Sequence, residues 1–171
     1  GLLTLFPDLQ ADLAYAVEGY TNTYGNIWRW DILPTNTEVE AVYGTLNALI
    51  GKCNFLLERI AILEPVILHV TVVDDEDYEK LQQFKGEALF ARALAYSDLI
   101  KMYCKAYDPA TAANELGVVL VSSYSNTGTL KRASLKDSYQ FVLDDLAQSA
   151  TCLEPDENEN DESYYDTPYF T

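Results

Sequence analysis

Basic residues are scarce in this chain: Lys and Arg total 11 against 27 Asp and Glu, a formal net charge of -16 over 171 residues. Such a surface repels a phosphate backbone almost everywhere, which excludes nucleic-acid binding and leaves neutral ligands open. There is one histidine, His69, set among aliphatic residues. A metal site needs several convergent ligands, so His69 reads as structural. The three cysteines, Cys53, Cys104 and Cys152, are odd in number and show no zinc-like spacing. They read as small, buried hydrophobes. No Ser–His–acid set, phosphate-binding glycine loop or Cys/His cluster appears. Carboxylates are so plentiful that any pair could be nominated as a glycosidase dyad, which empties the nomination of content. The acidic run 156–162 lacks the glycine and spacing of a calcium loop and reads as solvated. No catalysis, metal or cofactor is expected. No apolar run is long enough to span a membrane, and neither a leader nor a lipid-bearing cysteine near the start is read.

What the chain does have is helical periodicity. Hydrophobic residues make up 49%, so it should fold as a globule. Residues 75–107 carry Leu81, Phe84, Ala88, Leu89, Ala95, Leu99 and Met102 at helical spacing. Asp74 or Asp75 is the expected cap, Lys101 and Lys105 suit the helix C-terminus, and Pro109 marks the stop. A pattern of this length, too charged for a membrane span, indicates a helical repeat. Further helices are predicted over 8–20, entered at Pro7, over 38–63, ended by Pro65, and over 134–152. The last has Ser134 as N-cap, Asp137 as the capping-box acid, and Leu135, Tyr139, Val142, Leu146 and Leu153 as its buried stripe. Residues 66–73 read as an extended connector and 108–131 as mostly loop. Arg92 falls on an apolar stripe, so it must be paired or reach an edge, with Asp144 and Asp145 as partners.

The run Gly86-Glu87-Ala88-Leu89-Phe90-Ala91-Arg92-Ala93-Leu94-Ala95-Tyr96 resembles the "GEA-x-F-x-RA-x-x-Y" pattern of SusD/RagB-like proteins. These are nutrient-binding lipoproteins of the Gram-negative outer membrane. The resemblance extends to Tyr43 and Asn54 in the preceding helix. It continues through Leu116-Gly117-Val118-Val119-Leu120-Val121 and through Arg132, Ser134, Tyr139, Asp145, Leu146 and Leu153. Cys53 stands where the family has Ala, and Val119 where it has Pro. The resemblance implies an all-α fold of tetratricopeptide-like helical hairpins with an ordered aromatic loop. It also implies a non-catalytic role: capturing an oligosaccharide at the cell surface and delivering it to a SusC-like TonB-dependent transporter. The lipid anchor would belong to the full-length protein. Residues 1–153 would form the helical domain, on the transporter-facing scaffold side, and 154–171 an acidic loop and the start of a further helix. The alternative is a soluble helical-repeat scaffold that binds only protein.

Residues 21–36 read as an ordered loop holding both tryptophans. Sugars stack their C–H patches on aromatic faces and satisfy their hydroxyls with amides, carboxylates or guanidinium groups. Asn26, Trp28, Arg29, Trp30 and Asp31 supply that mixture and are the candidate ligand-binding residues. Alternatively, the two rings pack the loop on the helices. Alternation puts both on one side only if the segment is extended.

Overall fold

The structure, a computed structural model, describes residues 2–15, 24–69, 75–124 and 130–153. Five helices occur among them: α1 (Leu2–Gln10), α2 (Gly25–Trp28), α3 (Thr37–His69), α4 (Asp75–Tyr103) and α5 (Leu135–Cys152). Two short strands, β1 (Leu116–Val119) and β2 (Arg132–Ser134), lie between α4 and α5. The chain divides into two compact units, Gly1–Leu49 and Ile50–Thr171, at a point within α3.

In the smaller unit, Phe6, Leu9, Ile27, Val42 and Leu46 are buried. The expected helix over 8–20 is displaced toward the N-terminus. Pro7 lies inside α1 rather than at its start. The helix ends where Asp12 turns left-handed at φ 57 and Leu13 N–H donates to Asp8 C=O at 3.0 Å. A short polar side chain tolerates that conformation, and the turn ends the periodic pattern early. Residues 16–20 lie outside the described residues.

In the larger unit the helices run antiparallel in succession. Asn54 and Glu64 of α3 bond to Arg92 and Lys85 of α4. Along α4, Gly86, Arg92 and Tyr96 meet Ser149, Asp145 and Phe141 of α5. These are the helical hairpins the sequence implies. Helix α3 does not stop at Pro65 but continues to His69, so residues 66–69 are helical rather than extended. A proline in a helix interior loses one backbone hydrogen bond and costs about 3 kcal/mol. The adjacent Glu64 carboxylate offsets a part of this, accepting from Gln82 Nε2 at 2.8 Å and Lys85 Nζ at 3.0 Å across to α4. Residues 70–74 and the His69 side chain lie outside the description.

Helix α4 ends at Tyr103, short of 107. The chain leaves it to stack Tyr107 edge-on against Tyr139, and Lys105 pairs with Glu115 at 2.9 Å instead of serving the helix end. The segment read as loop then contains an antiparallel ribbon, pairing Leu116 with Ser134 and Val119 with Arg132. Strands of four and three residues are too short to show a period. Arg132 locks the ribbon by donating to the carbonyls of Leu116 and Gly117. Gly117 is required there: a Cβ would sit 2.5 Å from the Ser134 carbonyl oxygen.

Helix α5 starts as expected. Ser134 Oγ accepts from Asp137 N–H at 3.0 Å and donates to the Asp137 carboxylate at 2.7 Å. Its buried stripe is different, consisting of Leu135, Ser138, Val142, Asp145 and Ser149, while Leu146 and Leu153 are exposed and Tyr139 is half-buried. The stripe keeps helical spacing, but three of its five members are polar and each is spent on a specific bond. Ser138 Oγ accepts from Val118 N–H and donates to Ser134 C=O, and Ser149 Oγ donates to Gly86 C=O at 2.8 Å. That last bond needs close helix approach. A Cβ on Gly86 would lie 2.6 Å from Leu153 Cγ.

Candidate functional site

Two constellations gather the residues singled out by sequence. The first is buried. Arg92 donates from Nε and Nη2 to the two carboxylate oxygens of Asp145, each at 2.7 Å, and from Nη1 to Asn54 Oδ1 at 2.7 Å. Its guanidinium also lies over the Phe141 ring, 5.2 Å from the centroid. Arg92 is 7% exposed, Asp145 2% and Asn54 1%. Two parallel bonds to one carboxylate are the strongest geometry open to this pair. Of the two aspartates considered, Asp145 is the partner; Asp144 accepts from Gln140 on the exposed side of α5. Asn54 closes the network by donating from Nδ2 to Val121 C=O at 2.8 Å. Tyr96, also buried, donates to that carbonyl at 3.2 Å and accepts from Val121 N–H at 2.8 Å. No buried side-chain polar atom is left without a partner among the described residues. The network ties α3, α4, α5 and the segment after β1 together, and it is sealed from ligand. Sequence reasoning noticed Asn54 only as a motif position; its depth among apolar neighbours was the signal that it had polar work to do.

The remaining motif residues are dispersed. Gly86 is buried under α5, while Glu87, Phe90 and Arg132 face outward. Burial pushes the Cys53 thiol up, partly offset by the Arg92 charge, and burial likewise raises Cys104 against the lowering effect of Arg132. Reactive cysteines need the opposite shift, so both behave as packing residues. No group of His, Cys, Asp and Glu able to hold a metal occurs among the described residues, and no described helix is long and apolar enough to cross a membrane.

The second constellation is the aromatic segment of the smaller unit, and it is not extended. Gly25–Trp28 forms one helical turn, opened by Tyr24 in the left-handed region at φ 69. Trp30 N–H donates to Ile27 C=O at 3.1 Å, Asp31 N–H donates to Asn26 C=O at 2.9 Å, and Trp30 between them has φ 58. These are the two bonds of a Schellman motif, in which the left-handed residue is usually glycine. Here it is tryptophan, 63% exposed. Ile27 anchors the turn in the core, Trp28 is half-buried, and Asn26, Arg29 and Asp31 are exposed. Arg29 Nη2 donates to Asn26 Oδ1 at 3.2 Å. One turn thus presents an outward indole beside an amide, a guanidinium and a carboxylate.

The larger unit is thus a set of helical hairpins keyed by a buried ion pair, and the smaller unit carries an exposed aromatic turn. A family profile described as starch-binding and associating with the outer membrane, SusD-like, matches residues 4–168. The chain belongs to the SusD-like family. That description is of binding proteins rather than enzymes. Among solved structures, a Bacteroides vulgatus protein assigned as sugar-binding is similar, with a TM-score of 0.62 and 23% identity over 77% of this chain and 27% of its own. A SusD superfamily protein of Bacteroides thetaiotaomicron is similar with a TM-score of 0.61 and 19% identity, over 82% of this chain and 28% of its own. The chain thus spans little more than a quarter of these relatives. No curated protein matches it.

Proposed function

We propose that the chain is part of a non-catalytic, lipid-anchored cell-surface protein that captures a glycan and passes it to a SusC-like TonB-dependent transporter. Family membership supports the class, and the observation that carries the ligand reading is Trp30. A bulky residue in the left-handed region is an outlier, and such strain gathers at ligand clamps and functional sites. Packing gives no account of it, because the ring faces solvent. An indole held outward on a rigid turn loses little freedom when a sugar ring stacks on it. Asn26, Arg29 and Asp31 then offer donors and acceptors for hydroxyls.

The test is calorimetry on the full-length protein with the glycan it takes up. Trp30→Ala should weaken binding severalfold and Trp28→Ala less, because Trp28 is half-buried. Unchanged affinity in both variants, with the fold intact, would make the turn structural.

A further inference from the structure

A second cluster of exposed aromatics lies in the larger unit. Tyr124 and Phe55 meet edge to face, ring centroids 5.2 Å apart, and the Arg59 guanidinium lies 5.0 Å from the centre of the Phe55 ring. Glu58, next to Arg59 on α3, accepts from Tyr124 N–H at 2.6 Å. Tyr124 is 60% exposed and Phe55 43%. The pair leaves Tyr124 largely in water, with the cation and the carboxylate of α3 beside it.

The segment carrying Tyr124 is fixed from beneath. Val121, three residues earlier, is held through both its backbone groups by Asn54 and Tyr96, and Tyr124 itself is held by Glu58. Asn54 and Tyr96 belong to the buried Arg92 network, so the segment that carries Tyr124 is bonded directly to the interior of the unit. The ring is therefore pre-positioned, and a ligand stacking on it meets little ordering cost.

We infer that Tyr124, with Arg59 and Glu58 beside it, forms a second carbohydrate-stacking site, separate from the tryptophan turn. The inference rests on the glycan reading above for its class of ligand. The chemistry favours a sugar over a protein partner. One open ring face flanked by a guanidinium and a carboxylate matches a pyranose with its C–H face and hydroxyl rim. Protein interfaces also concentrate Tyr, Phe and Arg but are depleted in Glu, so the sugar reading stands on the open ring face with the Glu58 acceptor beside it.

The experiment is calorimetry on the full-length protein against maltoheptaose, cellohexaose and xylohexaose. The variants are Tyr124→Ala, Tyr124→Phe and, as reference, Trp30→Ala. The backbone bond from residue 124 to Glu58 survives either change at 124, so the segment stays fixed, and an unchanged thermal midpoint checks this. Tyr124→Ala should weaken binding about three- to tenfold, and Tyr124→Phe, which keeps the ring, should bind like the parent. If Trp30→Ala weakens binding while Tyr124→Ala does not, the glycan reading stands and this second site is overturned. The cluster would then be a protein contact or surface packing. If none of the three sugars binds the parent protein, the second site falls together with the glycan reading.

Discussion

Arg92 and Asp145, 53 positions apart in sequence, share two 2.7 Å hydrogen bonds in the interior between α4 and α5. Removing one partner strands a buried charge, which typically costs about 3–5 kcal/mol, whereas replacing both with apolar residues of similar volume is often near neutral. Asp145→Ala and Arg92→Ala should each lower stability by about that amount in urea titration, and Arg92→Met with Asp145→Leu should recover most of it. Single variants no less stable than the parent would show that the pair opens to solvent.

Trp30 occupies a left-handed position for which glycine has no steric penalty. Trp30→Gly should raise the stability of the smaller unit by about 1 kcal/mol, while Trp30→Ala, which keeps a Cβ, should not. Thermal unfolding separates the two. A loss of stability in Trp30→Gly would mean that the indole contributes packing after all.

Gly117 and Gly86 both permit close approach, but different atoms stand in the way. A methyl group at 117 meets the Ser134 carbonyl, which is fixed backbone, whereas at 86 it meets mainly the far end of the exposed Leu153 side chain. Overpacking costs typically about 1–3 kcal/mol, least where a neighbour can move. Gly117→Ala should therefore destabilise more than Gly86→Ala. The reverse order in chemical denaturation would contradict the packing described around β1.

Hydrogen bonds from Gln82 and then from Lys85 hold the Glu64 carboxyl below the ordinary glutamate range. A depressed carboxylate stabilises the fold fully above the unfolded-state value, near 4.5. That contribution fades as pH falls from there through the lower folded value, because the unfolded chain takes up the proton first. The parent should be more stable than Glu64→Gln at neutral pH, by under about 1 kcal/mol for a pair this accessible. The gap should narrow as pH falls below 4.5 and close once the folded carboxyl is protonated too. A gap that widens on acidification would reverse the assignment.

Much of the hairpin order was legible because it follows from local rules. The Ser134–Asp137 cap, the long α4 pattern and the need of Arg92 for an acid all depend on spacing or on the cost of burying charge. The helix ends were less legible. Pro65 stops a helix by local rules, yet α3 runs on to His69, with cross-helix bonds at Glu64 beside the proline. Helix α4 ends at Tyr103, and beyond it Tyr107 meets Tyr139, a contact invisible until the chain folds. The α5 stripe differs from the apolar one expected because Ser138 and Ser149 look like solvent-facing residues and Asp145 is marked only by the need of Arg92 for an acid. Their burial depends on distant partners in α4 and the ribbon. In the tryptophan segment the residue types were readable, but not the left-handed turn that displays one ring.

The buried pair also fixes alignment. Sliding α5 by one helical turn, about 5.4 Å, would bring Phe141 or Ser149 opposite the guanidinium in place of Asp145, four residues away in either direction. Neither can accept two charge-assisted bonds, so a one-turn slip in either direction leaves a cation in the interior without its counter-ion. Apolar helix faces alone tolerate such slips at small cost. Here a single residue on each helix works like a key and its ward, admitting one register of the hairpin.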